Sequence, residues 1–157
     1  MLRILSTLLL AGSLLSAGEL TTKKSLNLAA VKVMVTAAEA EAAARKVSVS
    51  ICIVDEGATV IFLQKGDTVG INTLAYAQKK ARHSALFGSP SKNAADQLKN
   101  GSLAVMIAPE SFPNQGGLPI KIDGKTIGAI STSGAASEID EAIAQAGIDA
   151  LMAWLKQ

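Results

Sequence analysis

Beyond the first eighteen positions, the apolar residues fall into runs whose period changes along the chain. Leu28, Val31, Val35, Ala38 and Ala42 recur at helical spacing, which predicts a helix from a cap at Ser25 to about Lys46. Its Ala-rich stretch, Ala37 to Ala44, keeps the helix slim enough to lie closely on a sheet. At Val47 the period drops to two, and Val49, Ile51 and Ile53 alternate along a strand over Ser48 to Val54. Asp55-Glu56-Gly57 turns the chain, and a second strand, Thr59 to Gln64, completes a hairpin.

A helix from about Ile71 to Phe87 follows, closed by Gly88 with Pro90 just beyond. A short helix near Lys92 to Lys99 leads to an apolar run, Leu103 to Ile107, that reads as a strand. Two prolines and a Gly-Gly pair make Pro109 to Gly117 a loop. Leu118 to Ile122, the turn Asp123-Gly124 and Lys125 to Thr132 form a second hairpin. Ser137 caps a last helix to Leu155, with Glu138, Asp140 and Glu141 suited to its N-terminal dipole. Ile139, Ile143, Ala146, Ala150 and Trp154 mark its expected buried face. This order predicts a mainly antiparallel sheet with helices packed on it, an α+β domain.

The start of the chain has a different character. Met1-Leu2-Arg3, the apolar run Ile4 to Ala17 and the small residues Ser16-Ala17-Gly18 are the three parts of an export signal. A run of about 14 residues is short for a bilayer span, which takes about 20. The expectation is cleavage after Ala17 or Gly18, leaving a single domain over residues 19–157 that is periplasmic or secreted. An uncleaved anchor or a buried N-terminal helix is the alternative. No further membrane span is expected in the mature chain.

Apolar residues make up 49% and charged residues 18% of the chain, proportions that fold rather than stay disordered. A net charge of +2 gives no reason to expect a nucleic-acid partner, which would normally leave a basic stripe. The lone cysteine, Cys52, has no partner for a disulfide or a CxxC site and reads as a buried strand residue.

The candidate chemistry lies on the helix over Ile71 to Phe87. Ile71, Leu74, Gln78, Ala81 and Ala85 form its expected core face, and Tyr76, Lys80, His83 and Phe87 fall together on the opposite side. That outward stripe gathers the only Tyr, the only His and one of three Phe. Three readings stand side by side: ordinary core beneath another segment, a subunit interface, or a ligand surface. An imidazole flanked by aromatics, with Lys79 and Arg82 nearby, suits a flat anionic cofactor such as haem, whose iron takes a His nitrogen and whose propionates take cations. No GxSxG elbow, phosphate-binding glycine loop or HExxH is present, and one His with scattered acids does not define a hydrolase.

Several segments then match one family pattern in order. They are Ile51-Cys52-Ile53-Val54-Asp55-Glu56-Gly57, Lys79-Lys80-Ala81-Arg82-His83-Ser84-Ala85-Leu86-Phe87-Gly88, and Gly116-Gly117-Leu118-Pro119-Ile120 with Asp123-Gly124. Gly128-Ala129-Ile130 follows, then Ser133-Gly134, Asp140-Glu141 and Ala146-Gly147. From about Leu20 to Leu155 the chain resembles the GlcG/HbpS-like family of haem-degrading or extracellular haem-binding proteins. The resemblance implies a five-stranded antiparallel sheet with helices packed on it, profilin-like, in a homo-oligomer. Some relatives bind haem and some have been credited with degrading it; others accompany glycolate, diol or glycerol metabolism, and a related domain accompanies a corrinoid adenosyltransferase.

His83 stands where the family's K-A-R-T-A-A helix commonly has Thr, and a His there is the stronger iron ligand. Lys65-Gly66-Asp67-Thr68 replaces the usual M-D-G-A, and Ser131-Thr132-Ser133-Gly134-Ala135 the usual G-V-S-G-G, so no ligand role is carried onto those loops. The expectation is an exported haem-binding protein acting in haem capture, sensing or degradation. His83 is the expected axial ligand, Tyr76 and Phe87 the ring walls, and Lys79, Lys80 or Arg82 the propionate partners. Any catalysis would be peroxide-dependent oxidative breakdown of haem. The alternative is an oligomeric binding module for a small metabolite or a partner protein, without haem.

Overall fold

The computed structural model describes residues 20–157. The expected export signal and its cleavage point lie outside the described residues. Helix α1 (Leu28–Ala44) precedes the hairpin β1 (Ser50–Asp55) and β2 (Val60–Gln64). Helices α2 (Thr73–Phe87), α3 (Ser91–Lys99) and α4 (Ala104–Ile107) follow, then the hairpin β3 (Gly117–Ile122) and β4 (Lys125–Ser133), and finally α5 (Ser137–Trp154). The sheet is antiparallel, in the order β2-β1-β4-β3.

The sheet separates two helical layers. Val31 and Met34 of α1 and Ile148 and Leu151 of α5 pack with Ile53, Ile120 and Ile130 on one face. On the other, Ala77, Ala81 and Ala85 of α2 meet Cys52, Val54 and Ala129. β1 is covered on both faces, which is why Ile51 to Val54 read as a continuous apolar run.

Four strands form the sheet, not five. Leu103 to Ile107 is a turn of helix rather than a strand, and Leu103, Met106 and Ile107 face outward. A short apolar run carries no decisive period, and Leu, Ala and Met are good helix formers. The caps differ as well. Asn27, not Ser25, caps α1, its side chain accepting from the Ala30 N–H at 2.8 Å. Ala136 precedes α5, and Ser137 is its first residue.

The observed buried faces of α2 and α5 are rotated from those the apolar residues indicate, with Ala81, Ala85 and Ile143 buried as expected. Ile71 is almost fully exposed, whereas Ala77, Lys80, Ala81, His83 and Ser84 are buried. On α5 the buried face is Asp140, Ile143, Ala144, Gly147, Ile148 and Leu151, while Ala146, Ala150 and Trp154 are half-buried. The cause is close approach. A Cβ at Gly147 would lie 3.0 Å from the Met34 carbonyl oxygen, and one at Gly117 would lie 2.5 Å from that of Lys80. Where backbones come this near, small residues make the contact and large apolar ones are displaced to the flank.

Candidate functional site

The six candidate residues of α2 separate into an internal set and a surface set. Lys80 is 2% exposed, and its Nζ donates to Asp140 Oδ2 at 2.9 Å and to the Thr132 carbonyl at 3.1 Å. Asp140 Oδ1 in turn accepts from the Ala135 N–H at 3.0 Å. A charge taken this far from water needs a paired, hydrogen-bonded partner, and Lys80 has one. Lys80 is therefore a strut between α2, β4 and α5, not a surface cation for a propionate. The acid it needs was legible only as a helix-start residue.

Arg82 points to the surface but is engaged. Its Nε and Nη2 donate to the two Glu110 oxygens, each at 3.0 Å, and Nη1 donates to the Ala58 carbonyl at 2.9 Å. The guanidinium beside Glu110 holds that carboxyl below the usual range.

Tyr76, Lys79, His83 and Phe87 are brought together through a residue the sequence pattern did not single out, Phe112. Tyr76 meets its ring edge-on with centroids 5.3 Å apart, and Lys79 Nζ lies 5.5 Å from its centroid. The Phe112 backbone N–H donates to His83 Nδ1 at 3.1 Å, and the His83 ring stacks on Phe87 at 4.6 Å. Phe112 sits in the Pro109–Gly117 loop, and an aromatic between prolines in a chain so poor in aromatics was the signal available for it.

His83 is 3% exposed, so the stripe is not the open face that the pattern suggested. Burial lowers its pKa and keeps the imidazole neutral. Because Nδ1 accepts from a peptide N–H, the ring proton of the neutral form resides on Nε2. Beside the ring is a cavity of about 230 Å³ bounded by α2, α3 and α4, with Phe87, Asn93, Gln97 and Val105 among its walls. Among the described residues no group of three or more His, Cys, Asp or Glu is placed to hold a metal ion.

The family model described as haem degrading protein HbpS-like matches residues 26–149. The chain belongs to the HbpS-like family. Protein GlcG of Escherichia coli is 31% identical over 112 residues, covering 71% of this chain and 84% of that protein. The crystal structure of a double mutant of HbpS from Streptomyces reticuli superposes with a TM-score of 0.76 at 28% identity, covering 85% of this chain and 91% of that one. A crystal structure of a PduOC–haem complex shares the fold, with a TM-score of 0.74 at 24% identity over 81% of this chain and 95% of that one. No helix among the described residues of this HbpS-like chain is long and apolar enough to cross a membrane.

Proposed function

We propose that this HbpS-like protein binds haem on the face of α2 that carries Tyr76, Lys79 and Phe87, and that it does so outside the cytoplasm as a periplasmic or secreted protein. The observation that carries the reading is the aromatic cluster of Tyr76, Phe87 and Phe112 gathered around the chain's single imidazole. Support comes from the family's description as haem degrading, from the HbpS relative, and from the haem complex of a protein with this fold. The export-like residues Met1 to Gly18 support the location.

The residues fit the porphyrin better than they fit the iron. Aromatic walls suit the ring, and Lys79, which makes no ion pair among the described residues, is the cation free to meet a propionate. Lys80 and Arg82 are engaged elsewhere. Iron takes a bare imidazole nitrogen, whereas Nδ1 here is filled by the Phe112 N–H and Nε2 carries the proton. With both ring nitrogens so engaged, the residues that would hold haem as the chain stands are Tyr76, Lys79 and Phe87, and His83 would serve the iron only with one nitrogen freed. Haem, when bound, would supply an iron centre for ligand exchange or peroxide chemistry. The chain's own part is to hold and orient the ring; peroxide-dependent breakdown is the catalytic form of the same reading.

Haemin titration followed by absorbance tests this. Wild-type protein gives a saturable, sharpened Soret band, which Phe87→Ala and Lys79→Glu weaken. His83→Ala shifts the band if the iron is ligated and leaves it in place if the ring is only stacked. No saturable band with wild type removes the reading.

A second reading, an oligomeric binding module without haem, is favoured by the outward Leu103 and, on α4, Met106 and Ile107. A second copy of this chain is the occupant in that case. Size-exclusion chromatography would then show an oligomer that Met106→Glu with Ile107→Lys dissociates; an unchanged elution volume rejects it.

A further inference from the structure

The cavity beside His83 adjoins the aromatic face, sharing Phe87 with it, and has its own chemistry. It is bounded by the end of α2, by α3, by α4 and by Ser111. Its polar wall is His83, Ser89, Asn93, Gln97 and Ser111, all uncharged hydrogen-bonding groups once the imidazole is neutral. Phe87 and Val105 belong to its apolar wall. None of its lining residues is an acid, a lysine or an arginine.

His83 supplies the directional element. The residue as a whole is 3% exposed, and Nδ1 is filled by the Phe112 N–H. The remaining nitrogen, Nε2, therefore carries a proton. Among the described residues no protein acceptor bonds to it. That nitrogen keeps access to solvent, so its proton can be met by water or by a molecule in the cavity.

Size and charge narrow the partner further. At about 230 Å³ the cavity is below the about 300 Å³ at which pockets for drug-sized ligands begin, so its occupant is small. A carboxylate or ammonium would shed part of its hydration with no counter-charge in the wall, which disfavours it against an uncharged molecule of the same shape.

We propose that this cavity is a binding site for a small uncharged molecule. Its acceptor oxygen, a carbonyl, an amide or a hydroxyl, receives the His83 Nε2–H, and its short apolar part lies against Phe87 and Val105. The site uses the nitrogen proton that iron ligation would displace. It thus goes beyond the haem reading and does not depend on it.

Butanamide and butanoate, alike in shape and different in charge, test the site. With isotope-labelled full-length protein, butanamide should produce saturable NMR shifts at the His83 ring and at the Asn93 and Gln97 side-chain amides. Butanoate should bind at least about tenfold more weakly, the equivalent of about 1.4 kcal/mol. Ala104 lines the cavity from an exposed position, so Ala104→Leu fills space without disturbing the core and should abolish the butanamide shifts with the far-UV circular dichroism unchanged. No saturable shift with butanamide, which means water alone occupies the cavity, overturns the proposal. Equal binding of butanoate overturns it too, as does full binding by the Ala104→Leu protein. Because no iron takes part, each of these results leaves the haemin titration to be judged on its own.

Discussion

Lys80 Nζ stands 2.9 Å from Asp140 Oδ2, with both side chains withdrawn from water, and this pair ties the middle of α2 to the first turn of α5. Asp140 also holds the Ala135 N–H, so the carboxylate organises the β4–α5 junction as well as neutralising the lysine. Lys80→Met leaves a buried carboxylate without its cation and should destabilise the fold by about 3–5 kcal/mol. Lys80→Met combined with Asp140→Asn should lose clearly less than the two single losses added together. Urea unfolding of the four proteins in a double-mutant cycle measures the coupling, and additive losses would show that the pair acts as two independent groups.

Gly117 is the point where β3 passes under α2. A Cβ there would stand 2.5 Å from the Lys80 carbonyl oxygen and 2.9 Å from Ser84 Oγ. Gly117→Ala should therefore push α2 off the sheet, at about 1–3 kcal/mol or more. Gly124 is the matched control: it has a positive φ of 75° and no atom within 4 Å of an added Cβ, so Gly124→Ala carries backbone strain alone, about 1–2 kcal/mol. Thermal unfolding of the two variants separates steric overlap from strain. A smaller loss at Gly117 than at Gly124 would contradict the close contact.

The same close approach explains which parts of the fold were legible in the sequence. Both hairpins, the Gly88 end of α2 and the buried reading of Cys52 followed from alternation and turn chemistry, because those signals are local. The helix faces were not local. On α2 the contact is made by Ala77, Ala81 and Ser84, so an apolar count favours Ile71 and Leu74 and misplaces Lys80 and His83. Lys80 is buried only because Asp140, 60 positions away, is folded against it. Phe112 reaches His83 through its backbone N–H, a group every residue type except proline carries, so an aromatic between prolines could mark the residue but not this contact.

Cys52 is packed among Val54, Ala77, Ala81 and Ala129, and burial alone pushes its pKa up from 9.0 to about 12. Two consequences follow from one cause. At pH 8 the native thiol should resist thiol reagents and react at the rate of global unfolding. At higher pH the unfolded chain loses the thiol proton first, so stability contributed by the neutral thiol is complete below about 9 and falls as pH rises towards about 12. In that window the loss is about 1.4 kcal/mol per pH unit. Cys52→Ala should flatten this part of a stability profile, and rapid labelling of the folded protein would show that the site opens without unfolding.

His83 gives the opposite dependence in a different range. Burial lowers its folded pKa below 6.5, so on acidification the unfolded chain takes up the proton first. Stability contributed by the neutral ring is then full above about 6.5 and declines as pH falls through the lowered folded value. His83 is the chain's only histidine, and the carboxyls held low, such as Glu110 with Arg82 and Asp123 with Lys24, begin to act only below their ordinary values of 4.5 and 3.8. The interval between about 6.5 and about 5 therefore isolates the imidazole. His83→Asn tests it without removing the contact, since the Asn oxygen takes the place of Nδ1 as acceptor for the Phe112 N–H but does not titrate. Urea midpoints measured from pH 7 to pH 5 should decline for wild type and stay level for His83→Asn. Parallel declines in the two proteins would mean that His83 is not held neutral by its surroundings.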